Sequence, residues 1–434
     1  MINETILFLT HSDFDISDLK RHGLGLGPHI DMDAIFEKPL KKIFSKVLYY
    51  DVWKNYATIG VGESNRQILQ IVSKERPKYV LWHTLTYELL ETTLATIRSK
   101  GSLVLGWFSD DEVRFDDYSR WWIPYLDFVL TNDKGSIKKY EGIGAAAIHA
   151  VSGSNPDIFK KLNLPTIYDI SFVGKKFGDR GLWVDQLNRI GININAYGNG
   201  WNAGYVTTDE MVNIFNSSKI NLCFMQSYGI NTRPQFKTRI FEVCMCGGFL
   251  LCEYVSGIED YFEPDKEIVC FHDLEDAKTK IQYYLRNDKE RETIAHAGWV
   301  RSKANYSQEI MLYRIFRIVE EHAAIKKMNK ISPSLFIMPQ NVRCLPAQFH
   351  LNWARGLMTE GYPQKRWREE LDLALFYDPS NKEALRLRLI GRLPLSLRRI
   401  LLYCKSAYIK LKQLLHSSLV SIPMLRKIKR ALIS

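Results

Sequence analysis

The sequence lacks several features that would point to particular classes of protein. No uninterrupted apolar run reaches the roughly 18 residues that a membrane-spanning helix needs. Residues 1–10 have no basic start and no small-residue cleavage site, so they predict a first strand and not a signal peptide. Cysteine is scarce, with seven in 434 residues, and the odd count argues against a disulfide framework.

The cysteines cluster in apolar segments of one half of the chain, which predicts buried free thiols in a reducing cytoplasm. Cys244 and Cys246 are separated by one residue of a predicted helix, so their sulfur atoms point about 200° apart. That geometry does not suit a metal ion, and no metal site is predicted. The five clustered residues are Cys223, Cys244, Cys246, Cys252 and Cys270.

Acidic residues are absent after Glu383, where 12 of the 59 basic residues lie. The rest of the chain is therefore nearly neutral, which does not predict a nucleic-acid-binding protein. From Leu395 to Leu419 apolar residues fall on one helical face and basic residues on the other. We expect segment 395–430 to bind an anionic membrane surface, as a peripheral attachment of a cytoplasmic protein to the inner face of the cell membrane. Docking of this segment on the protein's own core, or on nucleic acid, is the alternative.

Residues 1–160 alternate short apolar segments with helical patterns, and residues 161–325 repeat this alternation. Short apolar strands separated by single helices predict a parallel sheet covered on both faces. The sequence therefore predicts an α/β protein with two Rossmann-like, doubly wound domains. Predicted strands are 5–9, 46–50, 79–82, 103–107, 128–130 and 147–150 in the first domain, and 169–173, 192–196, 220–224, 248–251 and 267–271 in the second.

The remaining chain predicts a C-terminal helical appendage. Pro333, Pro339 and Pro346 punctuate a linker at its start. Within 326–392 the pattern around Asp378 is similar to the end of one tetratricopeptide-type repeat. One repeat cannot bury its own apolar face, so we expect a small helical unit and not a solenoid. Residues 393–434 form the basic amphipathic tail.

A charged turn between residues 237 and 242 outlines a binding site for a nucleotide sugar. Lys237 and Arg239 stand at the predicted start of a helix, where side-chain cations and backbone N–H groups can face one diphosphate. Glu242, one turn later, can accept two hydrogen bonds from a ribose diol. An ordinary helix with a charged first turn is the alternative.

Two glycine-containing loops follow predicted strands of the same half. The first runs from Gly174 through Lys175 to Arg180, and the second is Tyr197-Gly198-Asn199-Gly200-Trp201. Ligands of open α/β sheets bind beyond the carboxyl ends of the strands, where these loops lie. We therefore expect cations of the first loop and aromatic rings of the second to contact the donor; short connecting loops without a ligand are the alternative.

These motifs together resemble the GT-B fold glycosyltransferases, and specifically the bacterial spore-protein-like, or CgeB-type, subgroup. The resemblance rests on Phe172-Val173-Gly174, Tyr197-Gly198-x-Gly-Trp201, Lys237-x-Arg239-x-Phe241-Glu242 and Cys246-Gly247-Gly248. It covers about 169–320, is weaker over 78–155, and is absent after about 330.

The resemblance implies two Rossmann-like domains that face a cleft. It implies transfer of a hexose-like sugar from a UDP-, GDP- or dTDP-linked donor, held by the second domain, to an acceptor held by the first. No cofactor or bound metal would be required. A bacterial surface glycan, a glycolipid or a protein is the implied acceptor. By the resemblance Glu242 binds the ribose, and Lys237 and Arg239 face the diphosphate, with Lys175 or Arg180.

One position departs from the family pattern. Many retaining members carry a second glutamate eight positions before the ribose-binding one, and here that position is Pro234. An inverting enzyme needs a base near the acceptor hydroxyl. The candidates in the first half are Asp110, Asp111 and His11, and Asp110 ranks first because it follows a buried strand most closely.

Other readings of the same residues stay open at this point. Asp110 and Asp111 could hold a metal ion in a metal-dependent GT-A transferase, although a second series of five strands argues against that fold. The chain could also be a non-catalytic scaffold at the membrane, a possibility that Pro234 supports. A sugar-nucleotide epimerase would use the same two-domain architecture.

Overall fold

The structure, a computed structural model, describes residues 1–11, 33–83, 86–226, 234–325, 327–333 and 336–391. The predicted membrane-binding segment 395–430 lies outside these residues. Among them, 1–11, 33–58 and 63–338 form one compact unit that contains both sheets, and 339–391 with 59–62 form a second. No helix of the described part combines the length and the apolar character needed to cross a bilayer.

The first sheet has six strands in the order β2-β1-β3-β4-β5-β6, and every neighbouring pair is parallel. The strands are β1 (Ile2–Thr10), β2 (Phe44–Asp51), β3 (Tyr79–His83), β4 (Leu103–Phe108), β5 (Phe128–Thr131) and β6 (Ala147–His149). The helices are α1 (Lys38–Ile43), α2 (Val52–Ile59), α3 (Val61–Glu75), α4 (Glu91–Ser99), α5 (Asp111–Arg114) and α6 (Lys134–Gly142), with a π-helical turn at Asp33–Glu37 and a 3-10 helix at Ser119–Tyr125.

Helices cover both faces of this sheet, so its inner strands β3, β4 and β5 are buried on both sides. Alternate strand residues belong to two apolar clusters: Leu7 and Trp82 lie in one, and Phe8 and Leu81 in the other. Near-continuous apolar strands are typical of such parallel sheets, which is why the sequence located all six. α4 is followed by Gly101, whose φ of 92° suits glycine at the end of a helix.

The second sheet has five parallel strands in the order β11-β10-β9-β7-β8. The strands are β7 (Tyr168–Val173), β8 (Asn195–Tyr197), β9 (Ser218–Cys223), β10 (Leu250–Glu253) and β11 (Val269–Phe271). The helices are α7 (Arg180–Arg189), α8 (Thr208–Asn216), α9 (Arg239–Met245), α10 (Leu274–Arg286), α11 (Asp288–Asn305) and α12 (Gln308–Ala324), with a 3-10 helix at Ile258–Asp260. The predicted fold class, with two doubly wound sheets, is confirmed.

Local chemistry explains several helix ends around the second sheet. α8 begins with a capping box, in which the side chains of Thr207 and Glu210 each accept a hydrogen bond from the other residue's backbone N–H. α9 ends just before Gly247, whose φ of 74° suits glycine. The five clustered cysteines are buried and free, as predicted.

Helix α12 follows the second sheet in the chain but packs on the first. Its buried side chains Leu312, Phe316 and Val319 belong to an apolar cluster of the first sheet. The Phe316 ring lies edge-on to Phe44, with centroids 4.8 Å apart. The last helix of the predicted second domain, 161–325, therefore contributes mainly to the core of the first half, although its buried Met311 belongs to an apolar cluster of the second half.

The second compact unit contains three helices among the described residues: α13 (Gln340–Glu360), α14 (Gln364–Tyr377) and α15 (Lys382–Ile390). The prediction that Pro346 lies in a linker was wrong, because Pro346 is inside α13. A proline within a helix removes one backbone hydrogen bond, and the ring of Pro346 is buried. The chain thus carries the predicted helical appendage.

Candidate functional site

The strand order places a crevice at the carboxyl edge of the second sheet. From β7 the chain moves to β8 on one side, and then returns to β9 on the other side of β7. The loops after β7 and β9 therefore leave the sheet in opposite directions and open a gap between them. Gly174 begins one loop and Phe224 begins the other. In folds of this type, ligands bind at this reversal of strand order.

Arg180 ties these two loops together. Its guanidinium donates to the carbonyl of Lys175 at 3.0 Å on the first loop. On the second loop it donates to the carbonyls of Phe224 at 3.1 Å and Gln226 at 3.0 Å. The side chain is 5% exposed, and burial lowers its pKa to about 10. Because both Nη atoms bind carbonyl oxygens, Arg180 shapes the crevice while contributing its positive charge.

The two predicted glycine loops lock each other in place. Gly198 has φ 120°, and a Cβ there would lie 2.4 Å from the carbonyl oxygen of Gly174. The Trp201 indole N–H donates to that same oxygen at 2.8 Å. Its ring lies edge-on to Phe172, with centroids 5.8 Å apart. Trp201 therefore acts within the loop scaffold, and Lys176 lies over its ring with Nζ 4.8 Å from the centroid.

Tyr197 lies at the end of β8, beside this scaffold. Its ring is edge-on to Tyr168, with centroids 6.1 Å apart. Burial raises the pKa of the Tyr197 hydroxyl to about 12, and Tyr168 adds to the shift. The hydroxyl is therefore protonated at neutral pH and can donate a hydrogen bond.

Lys237 lies just before α9, Arg239 is its first residue, and Glu242 is in its first turn, as predicted. Arg239 Nη1 lies 2.9 Å from Glu242 Oε2, and the two side chains are 26% and 14% exposed. The Arg239 guanidinium also contacts Met211 Sδ and lies 5.2 Å from the centroid of the Phe215 ring. The arginine and the glutamate of the predicted donor site thus form an ion pair.

Three cations converge on the carboxyl end of β9. Burial raises the pKa of the Cys223 thiol, the last residue of β9, to about 11. The positive charges of Arg239, Arg180 and Lys237 all oppose that shift. Each must therefore lie within electrostatic range of one atom at the reversal of strand order.

A hydrogen-bond network connects this cationic site to the first half of the chain. Gln235, 4% exposed, donates from Nε2 to Asp110 Oδ1 at 2.7 Å and to Glu112 Oε2 at 3.4 Å. Its Oε1 accepts a hydrogen bond from Lys237 Nζ. Burial lowers the pKa of the Lys237 amine, and the negative charge of Asp110 is the largest effect opposing that shift. The structure thus brings Asp110 together with the predicted donor-binding residues.

The other two predicted bases lie in different surroundings. Asp111 is buried and its Oδ2 accepts a hydrogen bond from the Tyr140 hydroxyl at 2.8 Å. Burial raises the pKa of Asp111. His11 follows β1 at the switch point of the first sheet, where its ring centroid lies 5.9 Å from that of His83. Burial, with His11 nearby, lowers the pKa of His83 to about 3.

Gln235 and Glu112 are the site residues that sequence reasoning missed. Gln235 stands two residues before Lys237, inside the motif, but an amide carries no charge signal of its own. Its partner Asp110 is 125 residues away in the chain, so no local pattern joins them. Other contacts between the halves, such as the Lys134–Asp260 ion pair, were missed for the same reason.

Part of the chain matches a known protein family. A family described as "Glycosyl transferase-like" matches residues 180–313, which include α7, α9 and the loops between them. The spore protein CgeB of Bacillus subtilis strain 168 is 20% identical over 233 residues, which is 48% of this chain and 72% of that protein.

Two solved structures are also similar. HepE of Anabaena, in complex with UDP and glucose, has a TM-score of 0.48 and 11% identity over 74% of this chain and 100% of that one. A glycosyltransferase from Rickettsia africae has a TM-score of 0.49 and 13% identity over 74% of this chain and 98% of that one. The chain is thus similar to a glycosyl transferase-like family over residues 180–313 and to CgeB over 233 residues, and its two doubly wound sheets agree with the architecture that the resemblance implies.

Proposed function

We propose that the protein transfers a sugar from a nucleotide diphosphate sugar to an acceptor hydroxyl group. The observation that carries this proposal is the placement of three cations around the loops after β7 and β9: Arg180 hydrogen-bonds to carbonyls of both loops, Lys237 hydrogen-bonds to Gln235, and Arg239 begins α9. A diphosphate is the anionic part of such a donor, and grouped cations in a partly desolvated crevice favour its binding. The network through Gln235 places a carboxylate of the other half beside this site.

The donor would lie across the loops after β7 and β9. Lys237 and Arg239 would neutralise the diphosphate, and Glu242 would accept hydrogen bonds from the ribose hydroxyls. For that to happen the Arg239–Glu242 ion pair must exchange part of its contact for contacts with the ligand. Gly174, Lys175, Tyr197 and Gly198 would line the crevice, and Arg180 and Trp201 would hold its shape.

Asp110 would act as the general base of an inverting transfer. The acceptor O–H loses its proton to the carboxylate as its oxygen forms a bond to the anomeric carbon. The bond from that carbon to the diphosphate oxygen breaks, and the leaving nucleotide takes the electron pair. Cations facing the diphosphate stabilise the charge that develops on it. Asp110 is favoured over Asp111 because its carboxylate joins the network of Lys237.

In this scheme the cationic side chains do the electrostatic work that a divalent metal ion performs in metal-dependent transferases. The metal-dependent alternative needs Asp110 and Asp111 to act together. Their carboxylates instead face different partners, the amide of Gln235 and the hydroxyl of Tyr140. Transfer activity should therefore survive an excess of EDTA, and its loss, restored by Mn²⁺ or Mg²⁺, would support the metal-dependent alternative.

The acceptor in this proposal is a bacterial surface glycan, a glycolipid or a protein, and not a nucleic acid. The basic segment 395–430 would bring the enzyme to the anionic inner face of the cell membrane. Polysaccharide biosynthesis at that surface suits an enzyme that takes nucleotide sugars from the cytoplasm and transfers a hexose.

A nucleotide panel tests the proposal. A diphosphate nucleotide at 100 times its dissociation constant should stabilise the fold by about 2.7 kcal/mol. We expect UDP, GDP, dTDP or CDP to raise the unfolding temperature, and mass spectrometry to show hydrolysis or transfer of the matching sugar. If none of the four stabilises the protein, a non-catalytic scaffold is the better description. Product formed without an acceptor, as a sugar isomer, would instead indicate an epimerase.

A further inference from the structure

We propose that Gln235 is a positioning residue that orients the base Asp110 and couples it to the donor site. The inference rests on the proposed function and concerns the same site. Gln235 lies in the second half of the chain, whereas Asp110 and Glu112 belong to the first. Within the part of the chain that the structure describes, its side chain forms hydrogen bonds both to the cation Lys237 and to these two carboxylates.

The orientation of the Gln235 amide follows from its partners. A lysine ammonium group has only donors, so it must face the amide oxygen Oε1. The amide nitrogen then faces Asp110 and Glu112, which accept its two hydrogen atoms.

The backbone on both sides of the link is held in place. The Gln235 N–H donates to the carbonyl of Met225 at 2.7 Å, next to the end of β9. Asp110 has φ 63° and ψ 31°, a left-handed conformation that residues other than glycine adopt infrequently. Strained conformations of this kind persist where the surroundings hold them, and they cluster at functional sites. The hydrogen bond at 2.7 Å to Asp110 Oδ1 is one such restraint.

Occupation of Oδ1 by the amide directs the chemistry to the other carboxylate oxygen. The acceptor proton then goes to Asp110 Oδ2, whose direction is set by the anchored Oδ1. Because the amide also binds Lys237, the orientation of the base depends on the cation that faces the diphosphate. The base Asp110 is therefore oriented only while Gln235 is held by Lys237 at the donor site.

Two variants test the role of Gln235. Gln235→Leu keeps the size of the side chain and removes both hydrogen-bonding groups. Gln235→Glu keeps the acceptor for Lys237 but replaces the donor to Asp110 with a third negative charge. An exposed glutamine on α3, changed in Gln70→Leu, is the matched control. Thermal unfolding of each variant checks that it folds. If Gln235→Leu does not fold, the isosteric variant Gln235→Glu tests the role of Gln235 alone.

The assay measures nucleotide release from UDP-, GDP-, dTDP- and CDP-linked sugars, as kcat and KM for the donor over about pH 5–9. We expect kcat to fall by about 10- to 100-fold in both variants, as for a misplaced catalytic group. The donor KM should stay unchanged in Gln235→Leu and rise in Gln235→Glu, because a carboxylate beside Lys237 repels the diphosphate. The acid limb of the pH–rate profile should move to higher pH, further for Gln235→Glu, because the added carboxylate favours protonation of the cluster.

The outcomes separate the inference from the function on which it rests. Wild-type kcat and an unchanged acid limb in Gln235→Leu and Gln235→Glu would overturn the role of Gln235 and leave the transferase proposal standing. A raised donor KM with an unchanged acid limb would also overturn it, since the residue would then bind donor only. No turnover of any of the four donor classes by the wild-type protein would overturn both.

Discussion

Removal of the Arg239 side chain should separate donor binding from folding. In the structure Arg239 lies 2.9 Å from Glu242 and is 26% exposed. A partly exposed pair one helical turn apart contributes only about 0.3–0.5 kcal/mol to stability. A hydrogen bond to a charged ligand group contributes about 1.5–3 kcal/mol. In Arg239→Ala, therefore, the loss of ligand affinity should exceed the loss of stability several-fold.

We expect Arg239→Ala to bind the preferred nucleoside diphosphate about 10- to 100-fold more weakly, since about 1.4 kcal/mol corresponds to a factor of ten. Isothermal titration calorimetry gives the affinity, and thermal unfolding without ligand gives the stability. Arg66→Ala is a matched control, because Arg66 pairs with Glu63 three residues away on α3, outside the crevice.

Two results would refute this reasoning. If Arg239→Ala bound the nucleotide as tightly as Arg66→Ala, the arginine would not face the diphosphate. If Arg239→Ala instead lost most of its folded structure, the Arg239–Glu242 pair would be a stabilising contact of α9 and not a binding pair. Glu242→Ala should give the same pattern, with weaker binding and little change in unfolding temperature.

Four further predictions concern other parts of the molecule. Gly198→Ala should destabilise the protein by more than Gly101→Ala, because a Cβ at Gly198 meets the Gly174 carbonyl oxygen at 2.4 Å whereas one at Gly101 meets no atom within 4 Å; equal unfolding temperatures would contradict this. Asp110→Asn should lower kcat by about 10²–10⁴-fold while nucleotide affinity is retained, and unchanged turnover would exclude Asp110 as the base. The pKa of His83 is lowered to about 3 in the folded protein, so the unfolded chain binds a proton at a higher pH than the folded protein does. The free energy of unfolding should therefore fall by about 1.4 kcal/mol per pH unit below about pH 6.5. Urea unfolding of His83→Gln should show a shallower fall, and a pH dependence identical to that of the wild type would refute this. The full-length protein should bind vesicles that contain phosphatidylserine, in a salt-sensitive manner, more tightly than a 1–392 truncation, and equal binding would refute membrane attachment through the tail.

Much of the fold was predictable because its signals are local. Each buried strand of the two sheets is a short apolar run, and a parallel sheet requires no other pattern. The predictions of strand and helix bounds were wrong where tertiary packing, and not the local sequence, determines the structure. The strand predicted at 192–196 is found at Asn195–Tyr197, because Ile192 and Ile194 are buried before the regular ladder begins. Pro346, a residue that usually interrupts a helix, lies buried inside α13.

The candidate site was predictable in part for the same reason. Lys237, Arg239 and Glu242 fall within one turn of chain, so their proximity follows from sequence spacing. The role of Arg180 could not be predicted in this way. Its charge was visible in the sequence, but the carbonyl groups that it binds come from two different loops. The Gln235–Asp110 bond joins residues of different halves, which only the folded arrangement brings together.

The central claim is that a nucleoside diphosphate binds where the strand order of the second sheet reverses. A crystal structure with the nucleotide that stabilises the protein most would test it directly. We predict that the diphosphate oxygens lie within about 3 Å of Lys237 Nζ or the Arg239 guanidinium, with the ribose hydroxyls at Glu242. A nucleotide bound at the first sheet, or with its diphosphate out of reach of both cations, would contradict the account.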